Sequence, residues 1–303
     1  MIVVIGSINM DLVLRVPRMP LPGETLTGGA FRTIPGGKGA NQAVACARLS
    51  GKVAAGGQQV AMIGCVGDDA FGATLRAALV GDGIIDSHII TLPGVASGIA
   101  SILVDDNGQN SIVIAGGAND LLSPAHIDAA KELIEQADIV VLQLETPMAT
   151  VVHAIKLARS LGKTVVLNPA PAASLPAGVL ELVDYLIPNE IEAAMLAGVS
   201  PDGADVQALA AALQKLGSDN VIITLGSKGV HAALYGGDFT FPAEMVQAVD
   251  TTAAGDTFIG GFVAGLASGM DEAEAIQQGQ RAAAWSVTKP GAQTSIPHLH
   301  ELF

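Results

Sequence analysis

Short runs of Val, Ile and Leu alternate with alanine-rich stretches of helical length, and that rhythm restricts the fold more than any other feature of the chain. The apolar runs fall at 2–6, 60–66, 138–144, 163–167, 184–187 and 220–225. The helical stretches fall at about 40–50, 69–81, 124–136, 148–161, 189–197, 204–216, 256–268 and 272–289. Strands this apolar are buried on both faces, and a helix after each one points to parallel pairing. The expectation is an α/β fold with a mostly parallel sheet covered by helices on both sides. Ligands in such sheets sit at the carboxyl ends of the strands, in the loops.

Two segments break the rhythm. Residues 12–34 carry a Pro-Gly turn at 22–23, and residues 98–115 read as two alternating strands around Asp105-Asp106-Asn107-Gly108, a hairpin signal. Both are expected to be antiparallel excursions that together form a small β lid. Exposed apolar lid strands need a partner, which points to a homodimer through the lid. The glycine-rich patch Gly51–Gln59 reads as a surface loop.

The chain has 303 residues and is 50% hydrophobic, ample for a large core in one domain with an appendage, or in two domains. A net charge of −14 argues against nucleic acid or an anionic membrane as the main partner. It does not argue against a phosphate-bearing ligand, because a local nest of N–H groups binds anions on an acidic protein. Cys46 and Cys65 form no disulfide framework and read as buried reduced thiols. The opening Met1–Gly6 reads as a strand rather than a signal peptide, and no apolar run reaches membrane-span length. A soluble, cytoplasmic protein is expected.

Residues 250–262, Asp-Thr-Thr-Ala-Ala-Gly-Asp-Thr-Phe-Ile-Gly-Gly-Phe, carry the strongest chemical signal. A small-residue turn leads into a helix, and the N–H groups of a helix start bind anions. Asp256 puts a carboxylate beside that anion site. Its place makes sense if it takes a proton from an alcohol that then attacks phosphorus; the competing reading is an ordinary N-cap aspartate.

Other segments are weaker alone. Asn9 and Asp11 follow the first strand two residues apart and could grip adjacent sugar hydroxyls, or form an Asx turn. Pro35-Gly-Gly-Lys-Gly-Ala-Asn41 precedes a helix, with Gly37, Lys38 and Asn41 able to meet a ligand, or is a plain glycine-rich linker; it is no Walker A loop. Glu145 ends an apolar run where ligand chemistry is expected, or merely charges a helix start. Asn189 and Glu192 share a helix face. They could serve phosphate and water-mediated Mg²⁺, form a capping box, or do both. Thr224-Leu-Gly-Ser-Lys-Gly229 offers a hydroxyl, glycines and a lysine, or a tight turn. The six histidines include no zinc pattern, and neither a nucleophile elbow nor a Rossmann fingerprint is present.

Taken together, these motifs resemble the ribokinase-like (PfkB) sugar kinases nearly end to end. The opening Gly-Ser-Ile-Asn-Met-Asp, the Gly-Gly-Lys-Gly-Ala-Asn loop, Gly64-Cys-Val-Gly-Asp-Asp69, Asn189-Glu-x-Glu, Thr-Leu-Gly-Ser-Lys-Gly, Asp-Thr-Thr-Ala-Ala-Gly-Asp and Gly291-Ala-Gln-Thr-Ser-Ile-Pro297 fall in family order. Between Ser50 and Gly67 the chain is longer than the family's first signature allows. The resemblance implies a three-layer α/β/α fold with a small β-sheet lid, and ATP-dependent phosphorylation of D-ribose at its 5-hydroxyl. Asn9, Asp11, Gly37, Lys38, Asn41 and Glu145 would hold the sugar, and Asp256 would accept its proton. ATP would meet Asn189, Thr224, Gly226, Ser227, Gly229, Ala254 and Gly255, with Glu192 near Mg²⁺ through water. A monovalent-cation site, for K⁺, would map to Asp250, Thr252, Ser286, Lys289, Gly291 and Ser295. Other substrates within the family (deoxyribose, fructose, a nucleoside) and a non-catalytic sugar-binding role are the alternatives.

Overall fold

The computed structural model describes residues 1–51, 57–201, 203 and 205–302. The chain opens with β1 (Ile2–Ile5), β2 (Asn9–Arg15), β3 (Phe31–Gly36), α1 (Lys38–Leu49), β4 (Val60–Gly67), α2 (Ala70–Gly81), β5 (Ile85–Leu92), β6 (Gly98–Val104) and β7 (Asn110–Ala115). It continues with α3 (Pro124–Ala129), α4 (Lys131–Gln136), β8 (Ile139–Leu142), α5 (Met148–Ser160), β9 (Thr164–Leu167), β10 (Tyr185–Leu186), α6 (Glu190–Leu196) and α7 (Val206–Lys215). It closes with β11 (Asn220–Thr224), β12 (Val230–Leu234), β13 (Gly237–Phe241), α8 (Ala254–Ala267) and α9 (Glu272–Ser286).

The main sheet has nine strands in the order β13-β12-β11-β10-β9-β8-β1-β4-β5. All neighbours are parallel except β11–β12 and β12–β13. Alternate residues of each central strand feed opposite cores, as a period of two requires. Ile2 and Val4 of β1 join the core under α1, α2, α8 and α9, while Val3 and Ile5 join the core under α3–α7. All four are essentially inaccessible to water, which explains why the run has no polar alternation.

The six expected strands are all present, and the structure adds three at the sheet's edges. β5 pairs with β4 at one edge, and the hairpin β12–β13 closes the other. β5 reads Ile-Asp-Ser-His-Ile-Ile-Thr-Leu; its polar positions, natural for an edge strand, hide it from a search for buried runs. The stretch 124–136 is two helices, broken where Ala130 leaves helical geometry at φ −97°, ψ 9°. No glycine or proline marks that break. In the glycine-rich patch expected as a loop, residues 52–56 lie outside the described residues.

A second, four-stranded sheet runs β3-β2-β6-β7. It is built from the two segments that break the sequence rhythm, but it starts earlier than residue 12, because β2 begins at Asn9. Each segment forms an antiparallel pair, β2–β3 and β6–β7, as expected, and the two pairs join through a parallel contact between β2 and β6. The hairpin turn is held by Asp105 Oδ1, which accepts from the Asn107 and Gln109 N–H groups at 2.9 Å. Ile112, Val113 and Ile114 of β7 stand 50–69% exposed.

One helix crossing positions the site. α1 and α8 pack so closely that a Cβ on Gly260 would collide with Ala45. Residues three or four apart share a helix face. Asn41 and Gln42 therefore lie one turn before Ala45 on the same side that Asp256 occupies, one turn before Gly260.

Candidate active site

Asp256 lies in the first turn of α8 and is buried. It is not the N-cap. That position belongs to Ala253, the one non-glycine residue with positive φ among the described residues (59°). The N-cap aspartate reading therefore fails. Instead Asn41 Nδ2 donates to Asp256 Oδ2 at 3.0 Å, and Gln42 Nε2 donates to Oδ1 at 2.9 Å. Burial pushes the Asp256 carboxyl above the ordinary aspartate range. The Lys38 charge and the two amide donors oppose that rise, and Glu145 adds to it.

The N–H groups of a helix's first turn lack partners within the helix. In α8 the Ala254 N–H turns to the Thr251 carbonyl at 3.3 Å, so the Gly255 and Asp256 N–H groups lead the helix end. A Cβ on Gly255 would meet no protein atom within 4 Å. That side of the helix faces a cavity of about 210 Å³, lined by Lys38, Asn189, Glu192, Thr224, Ala254, Gly255 and Asp256 among others.

The expected sugar residues gather around the carboxyl ends of β1 and β8 and the start of α1. Glu145 Oε2 accepts from Ser7 Oγ at 2.6 Å and from the Lys38 N–H at 3.1 Å. It serves a helix start, as the plainer reading held, but that of α1 rather than the helix that follows it. Asn9 and Asp11 are buried on β2. No Asx turn forms: Asn9 Oδ1 accepts from Asn119 Nδ2 at 2.7 Å. Burial first, then Glu145 and Asp256, raise the Asp11 carboxyl to about 7. Burial works against the Lys38 charge, but Asp256, Glu145 and Glu192 outweigh it and raise the ammonium above its ordinary value. Lys38 is thus the cation set among these carboxylates.

Asn189 and Glu192 form the reciprocal capping box, at 2.8 and 2.9 Å. Burial raises the Glu192 carboxyl, against the Asn189 N–H bond and the Lys38 charge. Thr224 bridges to Asn189 and lines the same cavity. Gly226 and Ser227 lie in the single 3₁₀ turn that follows, with Gly229 just after it, and these three are not among the cavity's lining. Asp250 joins two distant segments of the expected cation site. Its Oδ1 accepts from the Thr252 N–H and Oγ1 at 2.9 and 2.6 Å, and its Oδ2 from the Gly291 N–H at 2.9 Å. Burial opposes ionisation of Asp250, yet these donors hold its carboxyl below the usual range. Ser286 and Ser295 are buried nearby in sequence, each bonded to a carbonyl three residues back. The Lys289 ammonium stands 4.6 Å from the Trp285 ring centroid and 3.4 Å from Glu301, so its side chain is engaged elsewhere.

Residues 1–299 match the model of the pfkB family carbohydrate kinases. The chain belongs to that family. A ribokinase from Haemophilus influenzae is 46% identical over 299 residues, spanning 98% of this chain and 95% of the relative. A deoxyribokinase from Salmonella typhimurium is 40% identical over 302 residues, spanning 99% and 96%. The structure of Arabidopsis thaliana ribokinase complexed with ribose and ATP superposes with a TM-score of 0.89 at 31% identity, covering 99% of this chain and 96% of that one. The three-layer fold and the small separate sheet are therefore those of a pfkB carbohydrate kinase.

Sequence reasoning missed five polar side chains around this kinase site: Ser7, Gln42, Asn119, Gln143 and Asn168, all buried. Gln143 and Asn168 each stand just past the end of an apolar strand, the signal that singled out Glu145. Gln42 follows Asn41 directly. Asn119 gave no signal, since it reaches β2 across 110 residues.

Proposed function

We propose that this pfkB-family chain transfers the terminal phosphoryl group of ATP to the 5-hydroxyl of D-ribose, with Asp256 as the base. The observation that carries the reading is the buried Asp256 carboxylate at the head of α8. It is gripped by amides of α1 on one side and lines the cavity shared with Asn189 and Thr224 on the other.

In the reaction the sugar hydroxyl gives its proton to Asp256 as its oxygen bonds to phosphorus, and the bond to the bridging oxygen of ADP breaks. The Gly255 and Asp256 N–H groups take up charge on the transferring group, and Lys38 supplies positive charge beside it. Asn41 Oδ1 is buried with no partner within the protein, as suits an acceptor for a ligand hydroxyl. Asn9 and Asp11 offer paired polar groups for vicinal hydroxyls, which favours ribose over its 2-deoxy relative. General-base catalysis contributes about 10²–10⁴ in rate, so positioning must supply much of the remainder.

No group of three metal-ligating side chains occurs among the described residues. Mg²⁺ would arrive on the nucleotide, with Glu192 acting through water, and would neutralise phosphate charge. K⁺ would sit with Asp250, whose ionised carboxylate already ties 250–252 to Gly291. The apolar outer strand β7 supports a homodimer through the small sheet, which would close over the sugar as a lid. Among the described residues no helix is long and apolar enough to cross a membrane. The two free, buried cysteines fit a cytoplasmic enzyme.

A coupled ADP-release assay over ribose, 2-deoxyribose, fructose and nucleosides tests the reading. Ribose should give the highest kcat/KM. A fastest rate on 2-deoxyribose would transfer the assignment to that sugar, and no ADP release with any sugar would overturn it.

A further inference from the structure

Gln42 is fully buried, and its amide is committed on every side. Its Nε2 donates to Asp256 Oδ1 at 2.9 Å and to Asn168 Oδ1 at 3.2 Å, while its Oε1 accepts from Gln143 Nε2 at 2.6 Å. The orientation of each amide follows from a backbone carbonyl. Ile187 O can only accept, so Asn168 turns Nδ2 toward it, at 2.8 Å. Asn168 then offers Oδ1 to Gln42, Gln42 must turn its NH₂ to Asn168 and Asp256, and its carbonyl is left for Gln143. A flipped Gln42 would set its oxygen against the Asp256 carboxylate.

The anchors of this chain share one row. Ile5, Leu142, Leu167 and Leu186 are paired across β1, β8, β9 and β10. Gly6, Gln143, Asn168 and Ile187 are the residues that directly follow the ends of those four strands. A Cβ on Gly6 would collide with Gln143 Oε1, so the glycine leaves room for the amide.

We propose that Gln42 is a positioning residue for phosphoryl transfer: locked by Gln143 and Asn168, it holds Asp256 Oδ1 and, with Asn41 on Oδ2, fixes the carboxylate so that the remaining lone pair of Oδ2 takes the sugar's proton. Gln42 is fully buried and does not line the cavity. The same N–H favours the ionised carboxylate, against the cost of burial. The proposal rests on the base role given to Asp256 above.

The test compares Gln42→Met and Gln143→Met with the wild-type protein. Gln42→Met should lower kcat about 10–100-fold with KM for sugar and ATP within about threefold. The acid limb of its kcat–pH profile should move up by about one unit. Gln143→Met should shift the limb the same way by less. Packing alone would change stability without moving that limb, so an acid limb superimposable on wild type overturns the proposal. If Gln42→Met fails to fold, the Gln143→Met profile decides by the same criterion. The ¹³C-carboxyl titration of Asp256 in the ligand-free protein needs no turnover: its midpoint should rise in the variants, and an unmoved midpoint overturns the hold on Asp256. A wild type without sugar-kinase activity would sink the proposed function instead, whatever that titration reads.

Discussion

Gly37 approaches Asn9 so closely that a Cβ on the glycine would stand 2.7 Å from the Asn9 backbone nitrogen. Its φ of 89° is also one that side chains rarely adopt. The glycine loop is thus fitted against β2 before any ligand arrives, and it sets where α1 begins. Gly37→Ala should cost about 1–3 kcal/mol in urea unfolding and weaken sugar binding. A variant as stable as wild type would show that the loop tolerates a side chain.

Gly255 should behave in the opposite way. A Cβ there meets only the cavity, and alanine is a better helix former by up to about 1 kcal/mol. Gly255→Ala should leave thermal stability unchanged or raised while KM for ATP rises about tenfold, a loss of about 1.4 kcal/mol. An unaltered nucleotide affinity would count against phosphate approaching this turn.

Asp256→Asn should keep nucleotide affinity, measured by calorimetry, and lower kcat by at least about a hundredfold. A near-normal kcat would remove Asp256 from the base role.

Asp11 gives a pH dependence with a definite sign. Its carboxyl is raised from 3.8 to about 7 on folding, so between those values the folded state keeps a proton that the unfolded chain has lost. Its contribution to stability is therefore most favourable below pH 4 and declines as pH rises towards 7. Asp11→Asn should stabilise the ligand-free protein at pH 8, on the order of 2 kcal/mol, and by less at pH 5. It should also raise KM for the sugar. Equal effects on urea unfolding at the two pH values would contradict this origin.

Activity should rise when K⁺ replaces a large organic cation at constant ionic strength. Asp250→Ala should abolish that response, because it frees both Thr252 and Gly291. A wild-type rate indifferent to K⁺ would remove the cation site.

The central strands could be read from the sequence because burial on both faces leaves β1, β4 and β8 without polar positions and β9 with Thr164 alone. β5 and β13 could not, since edge strands carry exposed polar positions, and β12 could not because His231 interrupts its short buried run. In the site, Asp256, Asn41 and Glu145 stood out because each interrupts a glycine-rich or apolar stretch with a polar group. Their partners did not. Gln42 looks like any helical glutamine until α1 crosses α8 at Ala45 and Gly260, and Asn119 contacts Asn9 only through the fold of the small sheet. Local sequence reveals the groups that would touch a ligand; the groups that aim them depend on tertiary placement.

The shared row of Gly6, Gln143, Asn168 and Ile187 has a wider consequence. None of the four can slide along its strand without breaking the ladder beneath it, so the aim of the carboxylate inherits the stiffness of the sheet. A bulkier aliphatic group at Val141 or Val166, fully buried in the sheet beneath that row, would tilt one strand against its neighbour and be felt as slower turnover rather than weaker binding.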